Sequence, residues 1–239
     1  MHRFYIENFS ENSTALLDAF ESKHATRVLR LKVDDRVEVV DGKGRVGTAK
    51  IIDVNPKIVS LFVESVAVET DSGCKVHVAI APTKNIDRLE WFIEKSTEIG
   101  ISEFSLILTK NSERKVVNHD RLNKILISAF KQSGNPFLPT LNSLTKFSDF
   151  LNQEEDKENQ KKFIAYCGEH SLKKELHQVS SSSKSVLLLI GPEGDFTQEE
   201  VELTVEKGFI PVSLNRNRLR TETAGLIACH TVLLANSNK

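Results

Sequence analysis

The chain has 239 residues, of which 39% are hydrophobic and 27% charged, with a formal net charge of −1 at pH 7. Those proportions are ordinary for a globular protein with room for one large domain or two smaller ones. They exclude a polycation that holds nucleic acid by bulk charge, and no apolar run approaches the roughly 20 residues that span a bilayer.

Met1 to Tyr5 is followed by Glu7 and Asn8 and not by a long apolar stretch, so no secretory signal is expected. Cys74, Cys167 and Cys229 are odd in number, widely separated and without CxxC spacing. They read as free thiols of a reducing compartment, with no disulfide framework and no metal site. A cytoplasmic location is the expectation.

Taken in chain order, the first part is β-rich. A short helix is expected over residues 22–29. Arg36-Val37-Glu38-Val39-Val40 alternates polar with apolar residues, Asp41-Gly42-Lys43-Gly44 supplies a tight turn, and residues 45–54 continue as the return strand. Asn55-Pro56 interrupts, and residues 57–68 form a third run rich in β-branched side chains. The region reads as a small barrel, with Asp71-Ser72-Gly73 as a hinge.

Beyond the hinge, strands alternate with helices. Residues 76–81 read as an apolar strand, and residues 85–99 carry Ile86, Leu89, Phe92 and Ile93 at helical spacing before Gly100. Residues 104–108 form a strand and 120–133 a helix closed by Gly134. Three more short strands are expected over 163–166, 186–190 and 210–214. Thr197 with Glu200 makes a capping box, and Phe196 with Val201 a hydrophobic staple. Residues 154–158 read as a solvated turn, and the serines at 180–183 as a flexible surface loop. The alternation predicts an α/β fold with a mainly parallel sheet.

The chemistry concentrates near the C-terminus. The apolar run Val186-Leu187-Leu188-Leu189-Ile190 stops at Gly191-Pro192-Glu193-Gly194, and about twenty residues later comes Leu214-Asn215-Arg216-Asn217-Arg218-Leu219-Arg220-Thr221-Glu222-Thr223-Ala224. Neither GxxxxGK[ST] nor GxGxxG occurs in these two loops, so they are neither a phosphate loop nor a Rossmann fingerprint. The glycines allow a ligand close to the backbone, and a helix start at Thr221 offers free amide hydrogens. Taken singly, the first loop is equally a structural turn, and Thr221 equally a simple N-cap beside solvated arginines. Basic residues gather at Lys110, Arg114, Lys115, Arg121, Lys124 and Lys131, and again at Arg216, Arg218 and Arg220. Such patches suit a phosphate-bearing partner or an ordinary solvated helix face, and the sequence leaves both open.

The paired motifs Gly191 to Gly194 and Leu219-Arg220-Thr221-Glu222-Thr223-Ala224 resemble those of the bacterial ribosomal small-subunit RNA uridine-N3 methyltransferases, the RsmE family of the SPOUT class. Arg3-Phe4-Tyr5, the stretch from His24 to Leu31, Asp41-Gly42, Lys95-Ser96-Thr97-Glu98-Ile99-Gly100, Ser112-Glu113-Arg114 and Gln132-Ser133 extend the resemblance over nearly the whole chain. It implies a PUA-like RNA-binding β-barrel over residues 1–72 and, over 73–239, a SPOUT-type α/β methyltransferase domain with a C-terminal trefoil knot. The implied reaction is S-adenosylmethionine-dependent methylation of uridine N3 in 16S ribosomal RNA, by a homodimer. Carried over by position, Ile190, Gly191, Pro192, Glu193, Gly194, Leu214, Asn215, Arg218, Leu219, Arg220, Thr221, Glu222, Thr223 and Ala224 would surround the cofactor.

Uridine N3 carries a proton at neutral pH, so transfer requires its removal or stabilisation of the resulting anion. Arg218, Arg220, Glu222 and, from the barrel, Arg3 are the candidates for that work. Arg3, Arg27, Arg30, Arg114, Lys115, Arg121 and Lys124 are the candidate RNA contacts. No cysteine has an obvious activating partner for covalent catalysis. Four positions depart from the family pattern: Asp195, Asn215, Lys131 and Asn135. Two other functions fit the same fold, a non-catalytic RNA-binding or ribosome-assembly factor and a methyltransferase acting on transfer RNA.

Overall fold

The computed structural model describes residues 1–154, 159–168 and 173–237, and the chain divides into two compact units. The expected turn at 154–158 lies outside the described residues except for Glu154, which is buried and whose carbonyl accepts from Lys162 Nζ. Among the described residues no helix is long and apolar enough to cross a membrane.

The first unit comprises residues 1–72 together with 130–138. Its elements are β1 (Arg3–Tyr5), β2 (Thr14–Leu16), α1 (Ala19–Lys23), a π-helical turn (His24–Val28), β3 (Arg36–Val40), β4 (Arg45–Asp53) and β5 (Ser60–Val68). The five strands form one sheet in the order β1-β3-β4-β5-β2. Alternation puts Val37 and Val39, with Ala49, Ile51, Leu61 and Val63, on a buried face around Phe4. The helix starts earlier than its sequence periodicity predicts, because the Asp18 carboxylate accepts from the Glu21 amide and caps α1 at Ala19. Residues 130–138 join this unit through the β3–β4 turn, where Leu138 N–H donates to the Gly42 carbonyl at 2.9 Å and Gly44 N–H to the Pro136 carbonyl at 3.2 Å. Gly44 has φ +98°, and a Cβ there would meet the Glu69 carbonyl oxygen at 2.6 Å, so no larger residue fits.

The second unit contains residues 73–129 and 139–237 of the described chain. It runs β6 (Lys75–Ile80), α2 (Ile86–Glu98), β7 (Glu103–Leu108), α3 (His119–Ser133, whose last turn belongs to the first unit), β8 (Thr140–Leu141), β9 (Thr145–Lys146), α4 (Phe147–Gln153), β10 (Lys161–Ala165), β11 (Lys174–Glu175), α5 (Leu176–Val179), β12 (Ser185–Ile190), α6 (Gln198–Glu206), β13 (Ile210–Ser213) and α7 (Thr221–Asn236). Every strand pair in this sheet is parallel, in the order β11-β13-β10-β12-β6-β7-β8, with β9 also on β7. Leu187 and Leu189 face Phe147, Phe150 and Val201 of α4 and α6. Helix α7 packs on β6 and β12 from the opposite face, beside α2. Both faces are covered, which is why these strands read as continuous apolar runs.

Helix ends follow the sequence signals. Asn85 caps α2, Gly100 leaves it at φ +95°, and Thr197 with Glu200 forms the complete capping box of α6. The serine run departs from expectation. Ser180 is buried, its carbonyl accepts from Asn236 Nδ2 at 2.9 Å, and Ser183 N–H donates to Asn236 Oδ1 at 2.9 Å. One asparagine at the end of α7 thereby satisfies a backbone group at each end of the run, while Ser181 and Ser182 between them are exposed.

Candidate active site

Strand β10 lies between β12 and β13, with Ala165 in register with both Ile190 and Val212. Three parallel strands therefore end together, and the segments that leave them enclose a cleft of about 580 Å³. A crevice at the carboxyl ends of parallel strands is where α/β sheets bind ligands, and this volume suits a small-molecule cofactor. Of the expected cofactor contacts, Ile190, Gly191, Pro192, Glu193, Leu214, Asn215, Arg218, Leu219, Arg220, Thr221 and Ala224 line it. Gly194, Glu222 and Thr223 are not among the lining residues. A Cβ on Gly194 would lie 3.1 Å from Asn111 Cβ, so that glycine faces a neighbouring loop instead of the cleft. Glu222 is buried in the first turn of α7 and sits 3.7 Å from Arg88 of α2.

The sequence reading missed Tyr166, Cys167 and Lys173, which follow β10, and also Asp195, whereas Arg216 and Asn217 line the cleft from within the expected stretch 214–224. Lys173 Nζ donates to the Tyr166 and Gly168 carbonyls at 2.6 and 2.9 Å and lies over the Tyr166 ring. Asp195 adopts φ +63°, the left-handed conformation that aspartate tolerates, and its Oδ2 accepts from the Cys167 amide at 2.8 Å. Partial burial, and then the nearby Asp195 carboxylate, push the Cys167 thiol up from its ordinary pKa. Asn215 does not use a positive φ. Its Oδ1 instead accepts from the Arg216 amide at 2.8 Å, and its carbonyl from Ser213 Oγ at 3.3 Å.

Two further contacts shape the cleft. Arg218 Nη2 donates to the Glu193 carbonyl at 3.1 Å, linking the two loops. Helix α7 begins at Thr221 with Arg220 as its N-cap and no side-chain cap, so its first amides are not satisfied by a capping side chain. Gly225 lets α7 approach α2, since a Cβ there would fall 2.6 Å from the Phe92 ring. Among the described residues no group of three or more His, Cys, Asp or Glu is placed to hold a metal ion.

Residues 70–233 match the family described as RNA methyltransferase domain, and residues 17–64 the family described as RNA methyltransferase PUA domain. The ribosomal RNA small subunit methyltransferase E of Synechocystis sp. strain PCC 6803 is 30% identical, the match covering 90% of this chain and 71% of the relative. The chain belongs to the ribosomal RNA small subunit methyltransferase E family. The crystal structure of a probable rRNA-methyltransferase from Porphyromonas gingivalis shares its fold at 34% identity and a TM-score of 0.90, with 99% of each chain covered. A Legionella pneumophila methyltransferase, determined with bound S-adenosylmethionine, matches at 28% identity and a TM-score of 0.86, covering 98% of this chain and 97% of that one.

Several side chains read as RNA or catalytic contacts of this methyltransferase E family member have internal partners. Arg114 Nε donates to the Thr83 carbonyl at 3.0 Å and Nη2 to the Lys84 carbonyl at 2.7 Å. Arg121 donates to Glu90 Oε2 at 2.8 Å. In the first unit, Arg3 pairs with Glu38 and donates to the Asn135 carbonyl at 3.2 Å, while Lys131 pairs with Glu21. Asn135 Oδ1 accepts from the Phe137 amide at 3.0 Å. The two departures at 131 and 135 thus make an ion pair and a local hydrogen bond within that unit. Lys115, Lys124, Arg27 and Arg30 are exposed, as a phosphate contact must be.

Proposed function

We propose that this chain transfers the methyl group of S-adenosylmethionine to N3 of a uridine in the 16S RNA of the small ribosomal subunit. The reading takes residues 1–72 as the RNA-binding domain and 73–239 as the transferase, acting in the cytoplasm. The observation that carries it is the cleft at the ends of β10, β12 and β13 in a chain of this methyltransferase family.

The residues present fit the cofactor. Ile190, Val212, Leu214 and Leu219 supply apolar wall, Gly191 to Glu193 line the cleft at the end of β12, and Thr221 presents the uncapped start of α7. Backbone amides and carbonyls can read the edge of an adenine, while uncapped helix amides suit a carboxylate. S-adenosylmethionine, when bound, supplies a methyl on a sulfonium, ready for in-line displacement by a ring nitrogen.

The chain's own contribution is placement and charge. Removing the N3 proton leaves negative charge spread over the uracil carbonyl oxygens. Arg216 and Arg220 are exposed at the cleft, and preplaced guanidinium groups stabilise such charge most where it develops. We assign that work first to Arg220, because it begins α7 beside the cofactor wall. Arg218 ties the loops together through Glu193, and Glu222 steadies the start of α7 through Arg88. Neither is assigned the chemical step.

Homodimerisation completes the proposal. Ile227 and Leu234 are exposed one heptad apart on α7, and Trp91 is exposed on α2. Packed helices with an apolar outer face suit a symmetric partner. Light scattering at micromolar concentration should give about twice the 26.8 kDa chain mass. A monomer active at full rate when dilute would end the dimer reading.

The function is tested by incubating the protein with methyl-labelled S-adenosylmethionine and 16S RNA, then mapping the product nucleotide. N3-methyluridine is expected, and its loss from total RNA of a deletion strain should match. Label in transfer RNA, or cofactor and RNA binding without transfer, would overturn the reading in favour of the corresponding alternative.

A further inference from the structure

Two of the hydrogen bonds that tether one wall of the cleft come from a short segment outside it. Asn111 Nδ2 donates to the Gly194 carbonyl at 3.2 Å and the Asp195 carbonyl at 3.0 Å. Lys110 N–H donates to Glu200 Oε1 at 2.8 Å, while Oε2 of the same carboxylate accepts from the Thr197 amide at 2.9 Å in the capping box. Arg114 holds two successive carbonyls, Thr83 and Lys84, in the loop after β6. Lys84 N–H in turn donates to Glu193 Oε1 at 2.9 Å. The 110–114 segment thus reaches the 193–195 loop twice, directly through Asn111 and indirectly through Arg114, Lys84 and Glu193.

The segment is itself closed by internal hydrogen bonds. Ser112 is buried, and its Oγ accepts from the Thr109 amide at 3.0 Å and lies 2.9 Å from Thr109 Oγ1. A turn closed on its own hydroxyls holds its neighbours still. Arg114 suits its task by shape, because a planar guanidinium offers parallel donors to two carbonyls where an ammonium offers a point charge. Neither Asn111 nor Arg114 lines the cleft.

We infer that residues 110–114 form a bracket that presets the loop at 193–195 for S-adenosylmethionine, with Asn111 and Arg114 as positioning residues. The inference rests on the cofactor reading of the cleft and adds residues to it that touch neither cofactor nor RNA. A loop held in its binding conformation pays less ordering entropy when the ligand arrives. Arg114 is thereby removed from the set of phosphate contacts, although it sits in a basic stretch of the sequence.

The test compares wild type with Asn111→Ala, Arg114→Ala and Arg114→Lys. Calorimetry with S-adenosylmethionine should show affinity reduced about tenfold in each, the scale of two lost hydrogen bonds. The KM for cofactor should rise while kcat at saturating cofactor stays near wild type. Hydrogen exchange in the cofactor-free proteins should speed up over residues 191–197 and stay slow in β12 and β6. Binding to a 16S RNA fragment should keep its strength and its salt dependence. Arg114→Lys retains the charge and should not rescue.

Wild-type cofactor affinity in Asn111→Ala and Arg114→Lys overturns the inference. So does an Arg114→Ala protein whose salt slope drops by about one with cofactor binding unchanged, the signature of a phosphate contact. Exchange that rises throughout the sheet also overturns it, because the bracket would then be general scaffold. Wild-type protein that fails to bind S-adenosylmethionine overturns the cofactor reading instead, and the exchange measurements still decide the bracket.

Discussion

On one side of the cleft, the loop at 191–195 has its polar groups tied to Asn111, Lys84, Cys167 and Arg218. On the other side, the loop at 214–220 is held largely by bonds to itself, such as Asn215 to the Arg216 amide, and most of its residues are exposed. Among the described residues, Arg218 connects the two walls directly, through the Glu193 carbonyl. The braced wall is the one that suits a small cofactor, whose own torsions must be fixed on binding. The arginine-dense wall keeps its guanidinium groups exposed, which suits a large anionic substrate whose shape must be met on arrival. A site that handles two ligands of such different size divides its stiffness accordingly.

The largest expected effect comes from the loose wall. Arg220→Ala should lower single-turnover methyl transfer by about 10²- to 10³-fold at saturating RNA and cofactor, the scale for losing one preplaced charge partner. RNA binding should be nearly unchanged. Rescue of the rate by more RNA would make Arg220 a binding contact and remove its catalytic assignment.

A smaller but still severe effect is expected from the braced wall. In Gly191→Val the new side chain starts with a Cβ about 3.0 Å from the Phe196 ring and 3.2 Å from the Phe196 amide nitrogen. Overpacking of this kind costs about 1–3 kcal/mol, and here it should fall on stability and cofactor affinity together. Thermal melting and calorimetry read the two separately, and unchanged values in both would show that this wall yields.

Cys167 sits beside the braced wall and reports on occupancy. Because its thiol pKa is raised, the reactive thiolate is scarcer than in a free cysteine at the same pH. Alkylation should therefore be slow at neutral pH, accelerate as pH rises through the raised value, and be suppressed by saturating S-adenosylmethionine. Equal rates with and without cofactor would place the ligand away from this cysteine. Cys229 is buried with its thiol pushed far up, so it should react only on unfolding.

The smallest change should come from Thr197→Ala, which removes the capping box that Glu200 shares with Lys110. A loss of about 1 kcal/mol in stability is expected by chemical denaturation, with methyl transfer retained. A large fall in cofactor affinity instead would extend the brace of the first wall into α6.

Much of the fold was legible because its signals are local. The alternation at 36–40 and the glycine turn after it correspond to β3 and the β3–β4 turn, and the apolar run at 186–190 lies within β12. The capping box at Thr197 and Glu200 marked the start of α6, and the spacing of Ile86, Leu89, Phe92 and Ile93 marked α2. The pairs β2 with β5 and β8 with β7 escaped notice because two- and three-residue strands carry no period. The cleft was half legible: the glycine loop and the arginine loop stood out by composition, whereas Tyr166, Cys167 and Lys173 carry no motif and enter only because β10 pairs between β12 and β13.

The sequence by itself determined where strands, turns and helix caps fall, and which two loops carry the chemistry, since those depend on residues a few positions apart. Only the tertiary structure decided what each charge does. Arg114, Arg121 and Lys115 look alike within one basic stretch, yet Arg114 holds the carbonyls of Thr83 and Lys84, Arg121 holds Glu90, and Lys115 is exposed. Their partners lie some thirty positions away and are brought near by parallel strand pairing, so no local pattern could distinguish a brace from a free phosphate contact.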